Sequence, residues 1–397
     1  MRRRVYLDNN ATAPLRDVAR EAIDLAMRRA DAFGNPSSPH AFGHEARLAL
    51  EDSRRQVAAA MGVEPGDVVF VSGGTESDNL AIQGVARAWT AAGRAPGHLV
   101  TSAVEHPAVL ECCRHLESTG WKLSILPVDG QGLVDPDAVR AALRHDTALV
   151  SIMAANNETG VIQPTEEIAA VTRHAGVPLH VDAVQAIGRI PFEAARVGAD
   201  YLSVSSHKLG GPAGIGALWI REAAPMKPLL LGGGQERRRR PGTESVMLAA
   251  GFAAAARAAG RELERAHPSG LRDRMERALL DRLAATRING IEAPRLPNTS
   301  SLTFPAVASE TIVIRMDLEG FALSTGSACS TGSARPSHVL AAMGLSQADA
   351  ASTLRISLGP TNTLEEIDAL VETLASVVRD LQASARLPHP APAGGRG

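Results

Sequence analysis

The chain reads as an α/β protein: a large domain with a mostly parallel, helix-covered sheet, then a smaller C-terminal α+β domain. Three observations predict this. Short apolar strands alternate with helical stretches from residue 67 to residue 220, the pattern of a parallel sheet covered on both faces. The texture then changes to a long alanine- and arginine-rich helical run from about Glu244 to Ala285, after which strand and helix signals resume. The chain of 397 residues is also long enough for two cores, built mostly from Ala, Val, Leu and Ile because hydrophobics make up 45% and aromatics only 3%.

Taken in order, Val5 to Pro14 is a short strand running into a polar turn, followed by a helix from about Asp17 to Arg29. Ala32 to His40 has loop chemistry, and Ala41 to Met61 has helical spacing with its charges on one face. Strand, loop and helix then repeat. Asp67–Val71, His98–Ser102 and Ala148–Met153 are strands, each followed by a polar turn and then by a helix, respectively Asp78–Ala92, Ala108–Ser118 and Thr165–His174. Val177–Asp182, Ala199–Val204 and Ile215–Ile220 complete the apolar strands. Ser300–Phe304 and Thr311–Arg315 open the smaller domain, which ends in a helix from Leu364 to Ala383.

The expected limits are an N-terminal segment, 1–15, packing with the small domain; a large domain, 16–260; a small domain, 261–386; and a disordered tail, 387–397. A formal charge of −2 gives no general attraction to nucleic acid or to an anionic membrane. No apolar run approaches the roughly 18 residues of a membrane span. Met1-Arg2-Arg3-Arg4 is followed by Val5-Tyr6-Leu7-Asp8 rather than by a signal-peptide core, so a cytoplasmic protein with a small-molecule ligand is expected. Cys112, Cys113 and Cys329 are too few for a disulfide framework.

Lys208 stands out. The sequence holds three lysines, Lys122, Lys208 and Lys227, while arginine does nearly all the cationic work. A lysine can lose its proton when desolvated and attack a carbonyl to form a Schiff base, which an arginine cannot do. Lys208 lies between two apolar strands, after Ser205-Ser206-His207 and before Gly210-Gly211-Pro212-Ala213-Gly214. The hydroxyls and imidazole can donate to a phosphate, and the glycines allow close approach of a bulky ligand. An ordinary glycine-rich turn with an exposed lysine explains the same residues.

In open α/β sheets, ligands bind beyond the carboxyl ends of the strands, where other polar residues of this chain also fall. Gly73-Gly74-Thr75 joins a strand to a helix N-terminus, a place for a phosphate. His106 precedes Pro107 at another helix start, where the dipole disfavours an imidazolium; it is either a plain cap or a neutral group that stacks on a ring and moves protons. Asp182 closes an apolar strand, where a carboxylate needs a partner, either a protonated ring nitrogen or an arginine. Together these are the parts that a pyridoxal phosphate enzyme needs: an amine, a carboxylate, a phosphate cup and a histidine over the ring. Cys329 lies in a run of small residues, Ser324 to Ala334, that has little to pin it to a core; a reactive thiol on a mobile, exposed loop at about 324–335 is the expectation, against burial as a small hydrophobe.

Ten ordered motifs between Tyr6 and Asp368 resemble those of the cysteine desulfurases, in the class V aminotransferase group of fold type I pyridoxal phosphate enzymes. Among them are Tyr6-Leu7-Asp8-Asn9-Asn10-Ala11-Thr12, Ser72-Gly73-Gly74-Thr75-Glu76, Asn156-Asn157-Glu158, His180-Val181-Asp182-Ala183-Val184-Gln185, Ser206-His207-Lys208 and Gly326-Ser327-Ala328-Cys329. The resemblance implies a homodimer that converts L-cysteine to L-alanine and leaves the sulfur as a persulfide on Cys329, for transfer to an acceptor protein such as an iron–sulfur scaffold or a tRNA-thiolation protein. It implies that Lys208 holds pyridoxal 5'-phosphate, Asp182 pairs with its ring nitrogen, Gln185 meets its phenolic oxygen and His106 stacks on it. Gly74, Thr75, Ser205 and His207 would bind phosphate, joined by Thr243 of the second subunit. Asn157 and Arg355 would hold the substrate carboxylate. A selenocysteine lyase or another β-eliminating class V relative would share Lys208, Asp182 and His106, and a scaffold without activity is the non-enzymatic reading. Two departures from the family pattern stand near the site: Arg238 where glycine is frequent, and Pro360 where arginine is frequent.

Overall fold

The computed structural model describes residues 4–28, 34–263, 269–326 and 337–385. Strand β1 (Val5–Tyr6) and helices α1 (Asp17–Arg28) and α2 (Ala41–Met61) precede a sheet of seven strands. Its strands are β2 (Val68–Val71), β3 (His98–Ser102), β4 (Lys122–Leu126), β5 (Thr147–Met153), β6 (Leu179–Asp182), β7 (Tyr201–Ser205) and β8 (Gly216–Ile220), in the spatial order 2-8-7-6-5-3-4. Only β8 runs antiparallel to its neighbours. Helices α3 (Gly74–Ala91), α4 (Pro107–Ser118), α5 (Pro136–Ala142), α6 (Thr165–His174) and α7 (Ala194–Val197) follow or link these strands, and α8 (Val246–Leu263) returns across the sheet.

The two-residue period of a strand sends alternate side chains into two different cores. Val68 and Phe70 join α2, α6 and α8 on one face, whereas Val69 and Val71 join α3 and α4 on the other. Helix α8 is lined with buried alanines, Ala249, Ala253, Ala255, Ala256 and Ala259, which let α1 and α2 pack closely against it. That packing replaces the aromatic bulk the sequence lacks.

The second unit has its own core. It comprises α9 (Ser269–Arg282), β9 (Arg287–Ile288), β10 (Thr299–Thr303), α10 (Ser309–Leu318), β11 (Phe321–Ala322), β12 (Ser324–Thr325), α11 (His338–Ala342), α12 (Gln347–Ala351), β13 (Thr353–Ser357) and α13 (Leu364–Ala385). Strands β12, β13, β10 and β9 form an antiparallel sheet. Strand β1 pairs with β11, and Val5 and Leu7 are buried in this second core, so the N-terminus is stitched to the C-terminal unit.

Some elements differ from the sequence reading. Strand β4 and helix α5 carry weak signals: β4 is an edge strand with exposed Lys122 and Ile125, and α5 is a short helix. Helix α3 starts at Gly74, not Asp78, because Gly73 caps it and the glycine turn is itself helical. Thr311–Arg315, given no element type by the sequence, lies in helix α10. Ser324 and Thr325, placed in the cysteine loop by their small side chains, form a strand opposite Arg355 and Leu354.

Around Arg238 the backbone takes an unusual path. Glu236, Arg237 and Arg238 have φ of 44°, 56° and 64°, a left-handed turn that costs about 1–2 kcal/mol per residue without glycine. The buried Glu236 carboxylate anchors it, accepting from both terminal nitrogens of Arg54 at 2.7 and 2.8 Å and from the amide of Phe70 at 2.8 Å.

Candidate active site

A cavity of about 180 Å³ opens at the carboxyl ends of the central strands, lined by Gly74, Thr75, Asp78, His106, Met153, Asn157, Asp182, Val184, Gln185, Ser205, His207 and Lys208. Nine of the sequence-selected residues thus meet in one place: Gly74, Thr75, His106, Asn157, Asp182, Gln185, Ser205, His207 and Lys208. A larger cavity of about 350 Å³ lies on the other side of Lys208, bordered by Asn9, Arg16, Arg189, Asn298 and Pro360, but it gathers none of the others.

Lys208 sits in a single tight turn, Ser206–Leu209, that directly continues β7. Its Nζ donates to the carbonyls of Asn10 and Ala11, each at 2.7 Å. The glycines after it serve the fold rather than a ligand. Gly210 has φ of 77°, and a Cβ there would lie 2.9 Å from the carbonyl of Pro14, so this glycine lets the N-terminal segment lie against the turn.

His106 caps α4 through Nδ1, which accepts from the amide of Ala108 at 3.1 Å. The acceptor nitrogen must be unprotonated, so the neutral ring carries its proton on Nε2. Burial, with the charges of Lys208 and His338 adding, lowers its pKa to about 4. The neutral imidazole expected from the sequence is therefore the form present at neutral pH. His207 is likewise pulled to about 4, by burial first and then by Lys208 and Arg189, and its Nδ1 lies 3.1 Å from Thr12 Oγ1.

The floor of the cavity is acidic. Asp182 accepts from the amide of Val184 at 2.9 Å, and burial raises its pKa to about 6 against the opposing pull of that amide and of Lys208. Burial pushes Asp78 well above the carboxylate range, and Glu105 to about 8. Asp78 Oδ1 and Glu105 Oε2 are buried without a hydrogen-bond partner. His180, two residues before Asp182, does not neutralise them: burial holds it neutral, with a pKa near 3, between the hydroxyls of Ser151 and Ser203 at 2.8 and 2.9 Å.

The remaining sequence-selected residues are placed differently. Arg355, on β13, is fully buried outside the cavity lining; it donates to the Asn157 carbonyl at 3.2 Å and to Asp8 Oδ1 at 2.7 Å, with Nε unpartnered. Thr243 is exposed and does not line the cavity. Cys329 lies outside the described residues; Gly326 and Ser337, on either side of that stretch, both approach Glu158, Ser337 Oγ donating to its Oε2 at 2.5 Å. Pro360 is exposed, and the contacts of Arg355 do not run to it. Cys112 and Cys113 are buried on α4, and burial raises the Cys112 thiol to about 12 and Cys113 higher, leaving both unreactive.

A family model, aminotransferase class-V, matches residues 5–370. The cysteine desulfurase IscS of Dictyoglomus turgidum is 43% identical over 386 residues, 96% of each chain. The chain belongs to the cysteine desulfurases of this family. The IscS of Methanosarcina thermophila is 42% identical over 380 residues, 95% of this chain and 93% of that one. Among solved structures, a NifS-like protein superposes with a TM-score of 0.87 at 37% identity, covering 95% of this chain and 100% of the other. The NifS-like protein of Rickettsia africae gives 0.84 at 32% identity, covering 95% and 99%. The activity of this chain is accordingly cysteine desulfuration. Sequence reasoning left out Asp78, Met153 and Val184 from the cavity, and Arg189 behind it; the position of Asp78 one turn into a helix opened by Gly73-Gly74-Thr75 was the available signal for the first.

Proposed function

We propose that this cysteine desulfurase binds pyridoxal 5'-phosphate in the cavity at Lys208 and passes the sulfur of L-cysteine to Cys329 as a persulfide. The observation that carries the reading is the convergence of Lys208, Asp182, His106 and Gln185 on one cavity with an open helix N-terminus. The donors suit the group. Gly73 caps α3 without a side-chain bond, leaving first-turn amides available for a phosphate beside Gly74, Thr75, Ser205 and His207. A Cβ on Gly74 would crowd Val184 at 3.0 Å, so the cup needs glycine there. At the opposite end Asp182 is the floor carboxyl most readily ionised, ready for a protonated ring nitrogen.

The bound cofactor would supply an electron sink for negative charge developing next to the amino-acid carbon. Lys208 Nζ holds the cofactor and can return a proton to the substrate carbon, and His106 can give the proton on Nε2. Arg355 and Asn157 would orient the substrate carboxylate, Arg355 through the Nε that has no internal partner. The Cys329 thiolate attacks the substrate sulfur: an S–S bond forms, the C–S bond breaks, and its electron pair stays with the carbon that takes up a proton to become the methyl of alanine. L-Cysteine as substrate is supported by a relative of known structure, SspA in complex with cysteine, at 34% identity and a TM-score of 0.78. A homodimer would bring Thr243 to the second subunit's phosphate site, in keeping with its exposure here, and a sulfur-acceptor protein, such as an iron–sulfur scaffold or a tRNA-thiolation protein, would take the persulfide.

The test is the Cys329→Ser holoenzyme. It keeps the visible absorbance of the cofactor and forms no persulfide from L-cysteine; undiminished persulfide transfer to an acceptor would remove Cys329 from the mechanism. In parallel, Lys208→Ala retains no cofactor after borohydride treatment, and a covalent adduct surviving there would refute the role of Lys208.

A further inference from the structure

Arg189 follows Gln185 by four residues in the turn after β6, buried where the cavity meets the larger one behind Lys208. Among the described residues it forms no ion pair. Its donors go instead to Gln185 Oε1, to the carbonyls of Gln185 and Asn9 at 3.3 and 3.2 Å, and to the carbonyl of Lys208 at 3.5 Å. Burial, with the nearby charge of Arg355, lowers its pKa to about 9, which still leaves it protonated at neutral pH. A buried guanidinium without a counter-ion is expensive to maintain. Here it meets the amide of a residue that lines the cofactor cavity.

That amide is held from both ends by partners of fixed chemistry. A guanidinium only donates, so the atom of Gln185 that faces Arg189 is its oxygen. A peptide carbonyl only accepts, so the atom 3.0 Å from the Asn10 carbonyl is Nε2. One N–H of Nε2 is engaged by Asn10, and the other is left for the cavity. The same Asn10 carbonyl accepts from Lys208 Nζ, tying the amide to the cofactor lysine.

We infer that Arg189 is a positioning residue: by holding Gln185 Oε1 it commits the amide to present an N–H, never an oxygen, to the phenolic oxygen of pyridoxal phosphate. The inference rests on the reading above that Gln185 meets that oxygen. An N–H there favours the phenolate and the deprotonated form of the bound cofactor, whereas a carbonyl oxygen there would repel it. Released from Arg189, the amide is held by the Asn10 carbonyl alone, and the bias weakens.

The experiment is a pH titration of the visible absorbance of cofactor-loaded wild type, Arg189→Met and Arg189→Lys, together with the Kd for pyridoxal phosphate measured on the apoenzymes. In Arg189→Met the midpoint moves up by about one pH unit and the Kd weakens by about tenfold. Arg189→Lys, which keeps a cationic donor but loses the planar fork, lies between it and wild type. If Arg189→Met does not fold, Gln185→Glu serves instead: one carboxylate oxygen pairs with Arg189, the other faces the cofactor, and the midpoint again rises. A folded, loaded Arg189→Met with the wild-type midpoint overturns the inference, because a merely structural arginine would lower stability without moving it. An unshifted Gln185→Glu overturns it as well. Wild type that takes up no pyridoxal phosphate overturns the underlying reading instead.

Discussion

The floor and the back wall of the cavity are both buried and both built from ionisable groups, yet they handle charge in opposite ways. The floor holds the carboxyls of Asp78 and Asp182, with that of Glu105 buried outside the lining; all three have raised pKa values, and two of their oxygens are left unpartnered. The back wall, behind the lining residues themselves, holds two guanidiniums, Arg189 and Arg355, bonded to carbonyls, to an amide and, for Arg355, to Asp8. A carboxyl can escape the penalty of burial by keeping its proton at an accessible pH; a guanidinium cannot shed its charge and must be hydrogen-bonded. The floor is therefore adjustable and the wall is fixed. A charged cofactor nitrogen can be met at the floor by one ionised carboxylate, Asp182, while its neighbours stay neutral.

The largest effect should come from breaking the wall. Arg355→Ala strips Asp8 of its ion-pair partner and the Asn157 carbonyl of a donor. The loss of stability should be about 3 kcal/mol, at the low end for a buried pair because Asp8 keeps some contact with water. Urea denaturation checks this, and cysteine turnover should fall with it.

The floor should respond to pH instead. Glu105 has a folded pKa of about 8 against an ordinary value of 4.5, so its stabilising contribution is fully present below about pH 4.5 and is lost as pH rises through about 8. Glu105→Gln keeps the oxygen that accepts from Ser102 at 2.6 Å and from the Met153 amide at 3.0 Å, and removes the titration. The Tm of the variant should gain on that of wild type by a few degrees between pH 5 and pH 8, for a difference on the order of 1 kcal/mol. Parallel Tm curves would place the proton on another floor carboxyl.

The smallest effect lies away from both regions and serves as a control. Arg238→Gly relieves a positive φ on an exposed side chain and should stabilise the protein by ~0.5–1 kcal/mol, read as a small rise in Tm with no change in cofactor absorbance.

Much of this arrangement was legible in the chain. The alternation of strands and helices gave the large sheet, because a parallel strand buried on both faces must be apolar throughout and must be followed by a covering helix. The polar strand ends Asp182 and Ser205 were for the same reason visible as candidates, as were His207 in the turn after β7 and His106 before a proline. The helix boundary at Gly74 and the edge strand Lys122–Leu126 were hidden, since propensity there opposes the outcome and packing decides it. Asp78 and Arg189 were hidden differently: an aspartate in a helix and an arginine in a turn have a solvated place by default.

By itself, then, the sequence determined which residues are candidates for the chemistry and which segments must be buried, because both follow from local composition and period. Only the tertiary structure decided the state of those residues. That Asp182 titrates near 6 while Glu105 holds its proton to about 8 depends on neighbours brought together from separate strands. That the Gln185 amide faces one way depends on Arg189 and on Asn10, which lies 175 residues earlier in the chain. Protonation and hydrogen-bond direction are set by desolvation and by what each partner can donate or accept, and those are properties of the assembled cavity.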